Sequence, residues 1–306
     1  MRIVFMGTPD FAKASLEKLY NDGHNIVGVF TQPDRPRSRG MKVTFSPVKE
    51  LALSHGTPVF QPKTLKDGEA AEILRNLDCE LIVAVAYGKL LPREILNIPQ
   101  YGAINIHASL LPKYRGAAPI QWAILNGDKE TGVTSMFMAE QLDAGDILLV
   151  GKTQIGADET AGELFQRLEI LGADILSKTV AAITNGELRR VTQNHSEATY
   201  APPLSKELSP LDWSDTAHNI KCKVRGLNPW PIATTEFKGT NYKVFSVDIN
   251  EKKTGKQPGE IVSAGKYGLE VACADGSVII KDLQAPGGKR MAAADHIRGN
   301  PLLSNR

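Results

Sequence analysis

The stretch "RIVFMGTPDFAKASLEKLYNDGHNIVGVF", residues 2–30, decides the fold class. "RIVFM" (2–6) is a short apolar run with no polar alternation, as expected of a strand buried on both faces. From Phe11 to Tyr20 the period changes: Phe11, Ala12, Leu16 and Leu19 fall at helical spacing and face one side. "NIVGVF" (25–30) then returns to the buried-strand pattern. Strand, amphipathic helix and strand in about thirty residues make a βαβ unit, whose strands run parallel.

The pattern continues outward. Strands are expected at 58–60, 81–86 ("LIVAVA") and 103–106 ("AINI"), with helical segments at 46–55, 67–77 and 92–97. The expectation is an α/β protein with a doubly wound, mostly parallel sheet, in which ligands bind beyond the carboxyl ends of the strands. A long helical run at 160–185 closes this region. Polar, proline-marked sequence follows ("TQNHSEATYAPPLS", 192–205) and reads as a linker. Beyond it, "ATTEF", "YKVFSVDI", "GEIVSA", "LEVACA" and "SVIIKDL" are β-forming runs separated by Gly, Asn and Asp turn signals, the pattern of a small β-barrel or sandwich. The expected division is a first domain over 1–190, a linker over 191–205 and a second domain over 206–306. In that second domain Trp230, between prolines in "NPWP", is expected to pack as an anchor rather than to stack on a nucleotide.

Composition excludes several classes. With 42% hydrophobic and 23% charged residues among 306, the chain has material for a real core. Cys79, Cys222 and Cys273 are far apart and odd in number, with no ligand spacing to histidine, so a reducing compartment and no metal site are expected. The first residues show no secretory leader and the longest apolar run is too short for a bilayer, so a cytoplasmic location without membrane attachment is expected. Charge is uneven: residues 1–204 carry 21 Lys and Arg against 23 Asp and Glu, while residues 205–306 carry 15 against 11. A basic second domain suits an anionic partner.

Three features carry chemistry. In "AINIHASLLPKYRGAAP" (103–119) Asn105 and His107 alternate with Ile104 and Ile106, so both polar groups share one strand face, about 7 Å apart, at the carboxyl end. An amide donor beside an imidazole can hold a carbonyl oxygen that is becoming an oxyanion. In "MAEQLDAGDILL" (138–149), which follows a strand expected at 132–138, Asp143 sits two residues before Gly145, placed for a loop tip to reach a neighbouring strand end. Asp146 is accounted for as turn chemistry. Finally, the loop 31–47, "TQPDRPRSRGMKVTFSP", sets Arg35, Arg37, Arg39 and Lys42 against Asp34 alone, leaving a solvated basic loop or an anion-binding one. A nicotinamide site is not indicated, because "GTPDFA" lacks the second glycine of GxGxxG and strand two ends at Thr31 and Gln32 with no acid placed for a ribose hydroxyl.

"NIHASLLPKYRGAAP" together with "LDAGD" resembles the folate-dependent formyltransferases. "VFMGTPDFA", "VGVFTQPDRPRSRG", "SPVK", "VAVAYGKLLP" and "GLNPWPIATTEF" extend the resemblance along the whole chain, toward the branch that acts on methionyl-tRNA. Ser38 and Met41 stand where that branch more often has glycine and lysine. The resemblance implies a Rossmann-like catalytic domain, an OB-like C-terminal domain that helps hold tRNA, and 10-formyltetrahydrofolate as co-substrate. It implies catalytic roles for Asn105, His107 and Asp143. Folate contacts are implied at Tyr87, Gly88, Leu90, Ser109, Leu110, Leu111 and Pro112, and tRNA contacts at Arg35, Arg37, Arg39, Lys42 and Lys206. The expected partners are initiator methionyl-tRNA and the folate, with the enzyme a monomer. A sister enzyme formylating a sugar nucleotide or another small amine, and a non-catalytic folate- or RNA-binding module, are the alternatives. The basic loop and basic second domain argue against the first, and the presence of Asn105, His107 and Asp143 against the second.

Overall fold

The structure, a computed structural model, describes residues 1–36 and 43–300. The chain forms two compact units. The first comprises Met1–Pro119, Thr131–Thr153 and Phe165–Ala201; the second comprises Ile120–Glu130, Gln154–Leu164 and the chain from Pro202 onward.

The first unit contains strands β1 (Arg2–Gly7), β2 (Asn25–Phe30), β3 (Arg35–Pro36), β4 (Val43–Thr44), β5 (Val59–Phe60), β6 (Leu81–Val85), β7 (Ala103–His107), β8 (Arg115–Gly116), β9 (Glu130–Phe137), β10 (Ile147–Gln154) and β11 (Tyr200–Ala201). Seven of them form one sheet in the order β10-β9-β7-β6-β1-β2-β5. The pairs β1–β2, β2–β5, β1–β6 and β6–β7 are parallel, whereas β7–β9 is antiparallel. Strand order runs from β1 through β2 to β5 and then reverses through β6 to β7. The crevice of such a sheet opens at that switch, above the carboxyl ends of β1 and β6. Gly7 is paired there with Val85, and a side chain at Gly7 would meet Ala12 and the Val85 carbonyl, so the β1 turn needs glycine for close packing.

Helices α1 (Asp10–Asn21), α2 (Pro47–Ser54), α3 (Glu69–Asn76) and α4 (Arg93–Leu96) connect the parallel strands. α1 buries Phe11, Ala12, Leu16 and Leu19, the four residues its periodicity selects. α2 starts where Ser46 caps the Lys49 amide and Pro47 fills the first helical position. One face of the sheet meets α3 through Val4, Met6, Ile82, Ala84, Ala71 and Leu74. Helices α5 (Pro119–Leu125) and α6 (Ala161–Asn185) follow; α6 matches the helical run expected over 160–185.

Residues 191–201 are fastened to the first unit although their composition reads as a linker. Val191 bridges to Ile147, and β11 pairs in parallel with β8.

In the second unit, β12 (Ala233–Phe237), β13 (Thr240–Asn250), β14 (Ile261–Gly265), β15 (Gly268–Ala272), β16 (Ser277–Gln284) and β17 (Met291–Ala292) form an antiparallel, barrel-like sheet. The five runs of β-formers are its first five strands. Two helices that strand propensity misses cover the core: α7 (Ala217–Gly226) buries Ala217, Ile220 and Val224, and α8 (Ala293–Gly299) buries Ala293 and Ile297. Both are too short to show a long helical period. Trp230 does not pack as the anchor its proline neighbours suggest; its side chain is 51% exposed.

Candidate active site

β7 ends the parallel run and carries two polar groups on one face, as its alternation requires. His107, in register with Thr134, is buried; Asn105, in register with Met136 and beside Ala84 of β6, is half-buried. Among the described residues the Asn105 amide has no side-chain hydrogen bond. A half-buried carboxamide left without a protein partner is available to a ligand.

His107 Nε2 lies 2.8 Å from the Tyr114 carbonyl oxygen. That oxygen can only accept, so Nε2 carries a proton and Nδ1 is the nitrogen free to exchange one. Nδ1 is 3.6 Å from Asp143 Oδ2, with side-chain exposures of 7% and 9%. This separation exceeds a hydrogen bond. It leaves the Nδ1 edge open to a third group while the carboxylate stays close enough to stabilise a positive ring.

Asp143 reaches this position by an indirect route. Because β9 is antiparallel to β7, its carboxyl end lies beside Ile104, at the far end of β7 from His107. The loop from Met138 to Asp146 therefore doubles back. Asp143 adopts left-handed backbone (φ 49°), which aspartate tolerates better than most residues, and its Oδ2 accepts the Gly116 N–H at 2.8 Å. Gly145 closes the turn where a side chain would overlap the Phe137 carbonyl oxygen. Gln193 donates to the carbonyls of Asp143 (2.9 Å) and Gly145 (2.7 Å), and accepts from the buried Arg115. Arg115 stands in the quoted loop with no role assigned from sequence, and Gln193 has no local signal at all.

The residues expected to meet the folate divide by which atoms they offer. Tyr87 is 3% exposed within the core; its hydroxyl has no partner among the described residues, and burial pushes its pKa up to about 12. Its backbone is what the loop presents, with the Tyr87 carbonyl held by Gln32 and with Ala86 (φ 45°) and Gly88 (φ 80°) both left-handed. An alanine there is strained by about 1–2 kcal/mol, of the kind that collects at ligand loops. Leu90 is 59% exposed. Ser109 is buried and donates to the Lys113 carbonyl, while its own carbonyl accepts from Thr134, which in turn accepts from the Leu111 amide. Leu110 packs where a side chain on Gly132 would sit, and Pro112 is half-buried. The Ser109 hydroxyl and the Thr134 bonds to Ser109 and Leu111 thus brace the turn. Lys206 is exposed in the second unit. Arg37, Arg39, Lys42 and the Arg35 side chain lie outside the described residues. A cavity of about 1090 Å³ lies elsewhere, at the amino end of β7 between Tyr101, Phe137 and Arg190. It gathers no such set of buried proton-transfer groups, and the geometry favours the His107 end.

The family described as formyl transferase matches residues 1–180, and its C-terminal domain matches residues 203–301. This chain belongs to the formyl transferase family. A methionyl-tRNA formyltransferase from Alkaliphilus oremlandii is 49% identical over 302 residues, covering 99% of this chain and 97% of that protein. One from Clostridioides difficile is 45% identical, covering 99% and 98%. Among solved structures, an N-formyltransferase from Helicobacter canadensis, in complex with folinic acid and dTDP-3-aminofucose, superposes with a TM-score of 0.69 at 19% identity, covering 94% of this chain and 99% of that one. At that identity it speaks for the fold. Among the described residues no helix is long and apolar enough to cross a membrane, and no cluster of three or more His, Cys, Asp or Glu is placed to hold a metal.

Proposed function

We propose that this formyltransferase transfers the formyl group of 10-formyltetrahydrofolate to the α-amine of initiator methionyl-tRNA, as a cytoplasmic monomer. Full-length identity near one half to proteins named for that reaction supports the substrate. The observation that carries the mechanism is the unpartnered Asn105 amide beside the His107–Asp143 pair.

The amine, as free base, adds to the formyl carbon, the carbonyl oxygen takes negative charge, and N10 departs with a proton. Asn105 donates its amide N–H to the developing oxyanion. His107, held by Tyr114 through Nε2, turns its Nδ1 edge to the same space and donates there when protonated. Each such donor contributes roughly 3–4 kcal/mol to the transition state. Asp143 keeps His107 oriented, accepts the ammonium proton and returns it, directly or through water, to N10. Residues 1–190 are the catalytic domain in this reading and 206–306 the tRNA-binding one, with the basic 35–42 segment and Lys206 meeting phosphates. Exposed Trp230 offers a ring to stack on a nucleotide.

The test is formyl transfer from 10-formyltetrahydrofolate to methionyl initiator tRNA, methionyl elongator tRNA and free methionine, with His107→Ala alongside. Formylation of the initiator alone, abolished in the variant, is expected. Release of tetrahydrofolate only with a small-amine panel would assign the chain to a sister enzyme.

A further inference from the structure

Asp143 is useful only where its carboxylate faces His107, and its own loop does little to put it there. The loop has doubled back from the far end of β9, and Asp143 takes a left-handed conformation. Two grips from outside the loop hold it. One is the Gly116 N–H on Oδ2. The other is Gln193, whose two amide protons go to the Asp143 and Gly145 carbonyls on either side of the turn. The orientation of that carboxamide is settled by chemistry. Arg115 Nη2 (2.6 Å) and Nε (3.3 Å) both point at its other atom, and a guanidinium can only donate, so that atom is the oxygen.

Arg115 is 2% exposed, and no carboxylate pairs with it among the described residues. Its partners are Gln193 and, from Nη2 at 3.0 Å, His195 Nδ1. Burying a guanidinium against neutral acceptors is expensive, and apolar residues of similar volume would hold the fold more cheaply. The arginine is spent on one carboxamide, and that carboxamide on one turn. Arg115 also adjoins Gly116, so a single two-residue strand, paired to Tyr200 and Ala201, holds the Asp143 carboxylate directly and its backbone through Gln193.

We propose that Gln193, oriented by Arg115, is a positioning residue for formyl transfer that sets the Asp143 carboxylate against His107. This rests on the roles given above to Asp143 and His107. Gln193→Glu keeps an acceptor for Arg115 but turns an oxygen toward two carbonyl oxygens. Gln193→Ala removes the grip without adding charge.

Both variants are to be made in the wild-type and Asp143→Asn backgrounds, with thermal melting, single-turnover formylation at saturating substrates, and KM for each substrate. With the turn displaced by about 1 Å, each single variant is expected to lose on the order of 10²-fold in rate with KM changed less than about threefold. In the Asp143→Asn background the further loss is expected to be under about threefold, because Gln193 acts through that carboxylate. Equal losses in both backgrounds, a Gln193→Ala rate within about threefold of wild type, or failure of both variants to fold would overturn the proposal. Asp143→Asn alone keeping its rate would instead sink the reading of Asp143, and the role of Gln193 with it.

Discussion

Replacing Asp143 by asparagine removes one charge and almost nothing else. Asparagine tolerates the left-handed backbone at this position (φ 49°), and its side-chain oxygen can still accept the Gly116 N–H, so the turn should persist. What disappears is the attraction between a carboxylate and a protonated ring 3.6 Å away, with both side chains more than nine-tenths buried. At an effective dielectric near 20, that attraction amounts to about 4–5 kcal/mol. The asparagine dipole recovers part of it, leaving about 3–4 kcal/mol, or about 10²–10³-fold in rate. The assay is single-turnover formylation of methionyl initiator tRNA at saturating folate, followed across pH, with thermal melting as the control for folding. The rate should fall by that factor and KM should hold, because Asp143 acts on His107 and on the transferred proton rather than on bound substrate. A variant within about threefold of wild-type turnover would refute the reasoning, and with it any role for the pair in stabilising the transition state.

Three further outcomes are expected. Gly145→Ala overlaps the Phe137 carbonyl oxygen and must push the turn by on the order of 1 Å, costing about 10²-fold in turnover; Gly268→Ala, which overlaps the Ile280 carbonyl oxygen in the second unit, should lower the melting temperature yet leave the single-turnover rate intact. Tyr87→Phe removes a buried hydroxyl without a partner and should raise stability by about 1 kcal/mol, while abolishing a tyrosine titration near pH 12; a large loss of folate affinity would show that the hydroxyl, not the loop backbone, meets the ligand. At Asp34, burial alone raises the carboxyl pKa, but hydrogen bonds from Lys49 and Gln61 outweigh it and the value falls below the ordinary one. The stabilisation is therefore complete above the ordinary carboxylate pKa and lost as pH falls through the lowered one. Melting curves of wild type and Asp34→Asn should converge in acid, and a constant gap between pH 7 and pH 2 would count against the pairing.

The elements that sequence determines here are those with a local cause. β1, α1 and β2 follow from the 2–30 pattern because burial on two faces or on one stripe leaves its period in the residues themselves. α6 and the first five strands of the second unit were legible for the same reason. Asn105 and His107 share a face because side chains alternate along any strand, and that requires no tertiary information. Tertiary structure alone decided the rest. The antiparallel course of β9 sends the Asp143 loop to the wrong end of the sheet and makes it return, so its partners come from elsewhere in the chain: Gly116 from β8 and Gln193 from residues whose composition reads as linker. Pairing between β8 and β11 is set by two residues on each side, too few to carry a period. A buried Arg115 and an exposed Trp230 both run against residue-type expectation, because their environments are fixed by distant backbone rather than by their neighbours in sequence. Local periodicity specifies elements; long-range hydrogen bonds, which leave no local pattern, specify where a carboxylate faces a histidine.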